Sequence, residues 1–154
     1  MSAAGRRSRH ARCAACLLGA AFAVVSCAAR SRPNFHGDWR VVLFTAPGNS
    51  ALEPTDASGW IGTVATYDTH RAVFGRETCT SPTYATRTMT ADEFTTQYHV
   101  RPADVGLPGD AVTQITVTCP SSWTNRGSIL LVKSRDALLT MWDGVFFELE
   151  RRLP

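Results

Sequence analysis

No stretch of this chain approaches the roughly 20 consecutive apolar residues that a membrane-spanning helix needs. Charge is sparse as well: 19% of the 154 residues are charged, 16 Lys and Arg against 13 Asp and Glu, a formal +3. So small an excess excludes the strongly basic face of a nucleic-acid binder, and a hydrophobic content of 44% excludes a disordered acidic tail. There is no G-x-S-x-G elbow, no P-loop, no dinucleotide fingerprint and no H-E-x-x-H. The acids are dispersed without calcium-loop spacing, and neither an internal repeat nor a low-complexity segment is present. The length suits one domain with a real core and is too short for two.

The charge that is present is uneven. Arg6, Arg7, Arg9 and Arg12 stand in the first twelve residues with no acid among them, and the apolar stretch Cys13–Val25 follows. A basic n-region, a short apolar h-region and a small-residue zone, Ser26-Cys27-Ala28, form the order of a secretory signal. Residues 1–26 are expected to be removed. That cut takes away four arginines and no acid, leaving 12 bases against 13 acids, a formal −1.

The cleavage zone Val24-Val25-Ser26-Cys27 resembles the lipobox of bacterial lipoproteins. The resemblance implies that Cys27 receives a diacylglyceryl group and becomes the acylated, palmitate-type N-terminus. Two or three acyl chains make a stable membrane anchor. Residues 27–35 are then the lipidated cysteine and a short tether, and residues 36–154 the domain. Ala28 stands where an Asp would retain many Gram-negative lipoproteins in the inner membrane, so the resemblance implies the outer membrane, facing the periplasm, in such a source. Ordinary signal-peptidase cleavage after Ala28 is the alternative.

Cys13 and Cys16 fall inside the discarded segment and Cys27 is taken by lipid. Cys79 and Cys119 remain, an even count in an oxidising compartment, and a Cys79–Cys119 disulfide is expected. The mature histidines His36, His70 and His99 show no ligand spacing around either cysteine, so no metal and no cofactor are expected.

After Cys27 the pattern is β. Short Thr-rich runs alternate with turn signals: Asp38–Phe44, Trp60–Tyr67, Arg71–Thr78, Thr83–Met89, Gln114–Cys119, Ser128–Lys133, Ala137–Trp142 and Val145–Glu150. Asp143-Gly144 is a hairpin signal, and Thr90-x-x-Glu93 is a capping box opening a short helix over Ala91–His99. Residues 46–59 and 101–110 are expected to be loop. Eight hairpin-linked strands with one helix predict an all-β fold, a small antiparallel closed or nearly closed barrel, with a two-sheet β-sandwich as the alternative.

Asn34-Phe35-His36-Gly37-Asp38-Trp39 resembles the N-x-x-x-G-x-W opening of lipocalins and related calycin barrels. That resemblance implies Trp39 packed across one end of the barrel under an Arg that follows the last strand. Arg151 has that place and shares the parity of Val145, Phe147 and Leu149, so a Trp39–Arg151 contact is implied. Calycin barrels hold apolar ligands, so the resemblance implies aromatics at the barrel mouth that can hold one. Side chains can nearly fill an interior of about eight strands, which leaves an open cavity and a filled interior as alternatives.

No residue is nominated as catalytic. His36, His70 and His99 lie far apart, in positions suited to solvated or capping roles, and the Asp143 and Glu148 carboxylates already have a turn and a strand-face role. The expectation is a non-enzymatic, lipid-anchored envelope lipoprotein. It would be held to the membrane through acyl chains on Cys27 and would bind a small apolar ligand or an envelope protein, not nucleic acid. The alternative is a periplasmic inhibitor of a hydrolase of the lysozyme type, and an enzyme ranks behind both.

Overall fold

A computed structural model describes residues 34–120, 123 and 126–153. The segment expected to be a signal, the expected lipidation at Cys27 and the expected tether up to residue 33 lie outside the described residues. The described chain forms one antiparallel sheet of nine strands. These are β1 (Gly37–Thr45), β2 (Val64–Tyr67), β3 (Arg71–Phe74), β4 (Glu77–Thr80), β5 (Thr83–Thr90), β6 (Ala111–Thr118), β7 (Ile129–Val132), β8 (Ala137–Trp142) and β9 (Val145–Arg151). The helices are α1 (Pro54–Ser58), α2 (Ala91–Tyr98) and a 3-10 turn over Pro102–Val105.

The strand order β4-β3-β2-β1-β9-β8-β7-β6-β5 has two ends, because β4 and β5 pair with nothing between them. The sheet curls into a half-barrel, an all-β fold with one principal helix. Closure is therefore incomplete, and the strands number nine where eight were expected. The extra strand comes from the run Arg71–Thr78. Gly75 takes a φ of +60°, open to glycine at no steric cost, and folds the run into the β3–β4 hairpin with Phe74 opposite Glu77. The expected strand from Trp60 starts only at Val64, since Trp60–Thr63 turn after α1. The expected loops carry α1 and the 3-10 turn, each opened by a proline whose missing N–H costs a first turn nothing.

Alternation sends side chains to two cores. The concave face of the half-barrel buries Trp39, Val41, Tyr67, Phe74, Ile115, Leu130, Trp142, Phe147 and Leu149. The convex face of β6–β9 buries Val112, Leu131, Leu139 and Phe146 under Phe94 of α2 and under Val105 and Leu107. Neighbours of opposite parity, Leu138 and Leu139 or Phe146 and Phe147, thus belong to different cores. The capping box forms as the sequence implies: the Thr90 hydroxyl accepts from the Glu93 N–H, and the Glu93 carboxylate accepts from the Thr90 N–H at 2.6 Å.

The concave side is filled. Trp142 and Phe147 stack with ring centroids 3.8 Å apart, and Trp60 and Phe74 meet Trp142 edge-on. The Tyr67 hydroxyl crosses the interior to donate to the Gly127 carbonyl at 3.0 Å. Gly127 has a φ of +73°, and a Cβ there would stand 2.7 Å from Phe74 and 2.8 Å from the Tyr67 hydroxyl. Gly127→Ala is expected to cost about 2–4 kcal/mol, overpacking and left-handed strain together, as a lowered denaturant midpoint at unchanged slope. A loss below about 0.5 kcal/mol, the range of ordinary surface changes, would mean that the interior has slack at this point.

Candidate functional site

At one end of the half-barrel Arg151 gathers the start and finish of the sheet. Its guanidinium lies 4.2 Å from the centroid of the Trp39 ring, and the two residues are register partners between β1 and β9. It donates to the carbonyls of Asn34, His36 and Arg135, at 2.6, 2.9 and 3.2 Å, and its Nε lies 3.1 Å from an Asp136 carboxylate oxygen. The Trp39 indole N–H donates to the Phe35 carbonyl. Gly37, with φ at +139°, leaves the space Arg151 occupies: a Cβ there would stand 2.6 Å from the guanidinium. The small residue of the G-x-W triplet is thus required by the arginine. With its donors spent on carbonyls and its face on an indole, this cluster is a fastening of the fold.

Phe35, counted with the tether on sequence grounds, belongs to the packed domain, its ring 4.9 Å from Tyr84 on β5. His36 is half-buried between Phe35 and Tyr84, with its Nε2 shielded and unpartnered, where a solvated residue was expected. His70 is exposed in the β2–β3 turn, its backbone N–H donating to Asp68. His99 is the exposed left-handed cap of α2, with φ at +57°. Cys79 on β4 and Cys119 just past β6 are disulfide-linked, with Cα atoms 5.8 Å apart. Close by, the Tyr84 hydroxyl donates to the Asp68 carbonyl at 2.8 Å. The β4 end of the sheet is thus tied covalently to the chain just past β6, without a strand ladder.

The tyrosines are held neutral. Burial pushes Tyr67 far up, with Tyr84 adding to it, and burial together with Asp68 pushes Tyr84 up to about 12. Burial also raises Tyr98, against the opposing influence of Arg87. Asp68 is held below the usual carboxylate range by N–H groups of His70 and Arg71, and Glu93 by Thr90. These shifts serve a turn and a cap. No histidine ring among the described residues is hydrogen-bonded to a carboxylate or a hydroxyl, and no group of three metal-ligating side chains is present among them.

Open space lies at the rim and on the outside, and a separate cleft of about 560 Å³ opens beside Trp60 and Phe74, next to Gly75, Glu77 and Arg126. A cleft of about 580 Å³ at the rim is lined by Thr116, Thr118, Ile129, Met141, Trp123 and Trp142. The indole N–H groups of both tryptophans are shielded from solvent and unpartnered. A second cleft, of about 630 Å³, shares Met141 and continues along Phe146, Tyr98, His99 and Asn49. A third, of about 470 Å³, shares Gln97 with the second and lies between α2 and β5. The second and third border α2, and the rim cleft joins the second at Met141, with aromatic and thioether walls and hydroxyl, amide and indole groups for orientation.

Beneath α2 sits a polar network that sequence reasoning missed. Gln114, buried on the convex face, accepts from Tyr98 and Arg87 at 2.8 and 3.1 Å and donates to Thr116 at 3.0 Å, while Arg87 also reaches Gln97. A lone glutamine in an alternating strand reads as solvent-facing, and only the packing of α2 over β6 buries it. Comparison with protein-family models, curated proteins and solved structures found no match to this chain.

Proposed function

We propose that this chain is a lipid-anchored envelope lipoprotein, acylated on Cys27, whose half-barrel binds a protein partner on its outer surface. The observation that carries the partner over an enclosed ligand is the filled concave side, where Gly127 has no room for one more methyl group beside Phe74 and Tyr67. Small-molecule sites bury most of a ligand's surface, and the spaces available here are open clefts at the rim, over the convex face and beside Trp60 and Phe74. The near-neutral mature domain supports acyl chains, rather than attraction to anionic lipid, as the anchor.

Metabolic labelling with an alkyne-bearing fatty acid tests the anchor. The wild-type chain is expected to take up label and partition with membranes, and Cys27→Ser to do neither. Label retained by Cys27→Ser, or absent from the wild type, would remove the anchor. Organic extraction of the purified chain is expected to release no stoichiometric apolar small molecule. An equimolar one would return the reading to a ligand carrier.

A further inference from the structure

β5 ends the sheet, and its eight residues pair with β6 in one unbroken register, from Thr83 opposite Thr118 to Thr90 opposite Ala111. In antiparallel pairs, a residue turns its N–H and C=O to the same side, and successive residues alternate sides. The Val117 N–H donates to the Ser128 carbonyl on the β7 side. Val117, Ile115 and Thr113 therefore face away from β5, and their partners Tyr84, Thr86 and Thr88 turn their backbone groups outward from the sheet. Thr90 has the same parity, and its N–H is taken by Glu93 and not by β6. Among the described residues no strand lies beyond β5.

Exposed edges in natural sheets are usually short, bulged, proline-bearing or charged. β4, the opposite end, is four residues long and pinned by the Cys79 disulfide. β5 has none of these defences: it lacks Pro and bulge, and its one charged side chain, Arg87, is drawn over the convex face by Gln97 and Gln114. Thr86 and Thr88 stand exposed beside the free backbone.

The cleft of about 470 Å³ adjoins this edge and is lined by Thr88, Arg87, Met89, Asp92, Glu93 and Gln97. Arg87 is engaged with the two glutamines, and Glu93 caps α2. Asp92 is the carboxylate left exposed, with no ion pair among the described residues. An added strand would place alternate side chains over this cleft.

We propose that β5 accepts an extended segment of the protein partner as a tenth strand. Outward backbone groups of Thr86 and Thr88 pair with it, and one Lys or Arg of the segment seats against Asp92. The assignment rests on the partner-binding reading above. A second copy of β5 fits less well. It brings two Arg87 side chains onto one face, directly opposite or two residues apart, and it offers Asp92 no base that Gln97 and Gln114 have not already taken.

The test is fluorescence anisotropy on the full chain in detergent micelles, with a labelled nonapeptide of alternating threonine and valine around a central lysine. Saturable binding is expected, weakened at least about tenfold by Thr86→Pro, which removes an outward N–H without breaking a β5–β6 bond. Should that variant fold poorly, peptides N-methylated on alternate residues carry the test. One methylation phase is expected to abolish binding and the other to spare it. A central glutamate is expected to weaken binding about tenfold and Asp92→Lys to restore it. Absent binding, or indifference to both methylation phases, overturns the proposal.

In intact cells, a photo-cross-linker at Thr88 is expected to give an adduct that Thr86→Pro abolishes. Adducts from Met141 alone overturn the β5 assignment and leave partner binding standing, and adducts from neither position overturn both. An adduct with a second copy of this chain overturns the heterologous partner.

Discussion

Trp39→Ala is expected to lower stability by about 3–5 kcal/mol, the cost of emptying a large aromatic site in a core that collapses only partly. Against a total of about 5–15 kcal/mol for ordinary domains, that loss leaves little reserve. Trp39 is fully buried, holds Phe35 through its indole N–H and carries the Arg151 guanidinium on its face. Arg151→Ala removes the other half of the cluster and strands the carbonyls of Asn34 and His36. Urea unfolding of both single variants and the double variant separates the terms. If the pair acts as one fastening, the double variant costs less than the sum, with a coupling of about 1–2 kcal/mol. Strict additivity would show Trp39 to be an ordinary core aromatic with an arginine nearby. Arg151→Lys is expected to recover little, because an ammonium cannot span three carbonyls and stack on an indole at once.

Opening the Cys79–Cys119 disulfide is the second large effect. A sequence separation of 40 gives a loop-entropy contribution of roughly 4 kcal/mol. The structure adds a reason for the effect to be local as well as global. β4 and β5 share no ladder, so the disulfide from β4 to the end of β6 is the covalent tie across the gap, beside the Tyr84–Asp68 and Tyr67–Gly127 hydrogen bonds. Cys79→Ala/Cys119→Ala is expected to show a matching drop in urea midpoint. Amide exchange should accelerate first in β2, β3 and β4, the strands held to the rest of the sheet through β1. A loss under about 1 kcal/mol, or uniform acceleration across the sheet, would show that the ladder through β1 suffices.

Local signals in the chain were legible because each is self-contained. The alternation of Ile115 and Val117, the Asp143-Gly144 hairpin and the Thr90–Glu93 capping box each involve neighbours a few residues apart, and the structure carries all three. The run Arg71–Thr78 misled because Gly75 sits in a uniformly β-like sequence, where one glycine reads as a flaw in a strand before it reads as a turn. Gln114 and His36 were misplaced for a related reason. Burial of a polar side chain is decided by what another segment lays over it, here α2 in one case and Phe35 with Tyr84 in the other.

From the residues alone came the all-β class, the expectation of Cys79 with Cys119, the candidate pair Trp39 and Arg151, and the near-neutral charge of the chain beyond residue 26. These follow from periodicity, parity and counting, which need no knowledge of what packs on what. Only the tertiary structure decided that the sheet stops short of closing, that its inside is filled and that β5 is left with backbone groups facing outward. Closure depends on how far nine twisted strands curl before their ends meet, and filling depends on segments some sixty residues apart, as the Tyr67 hydroxyl on the Gly127 carbonyl shows. Both are sums over the whole sheet, and no window of sequence contains them.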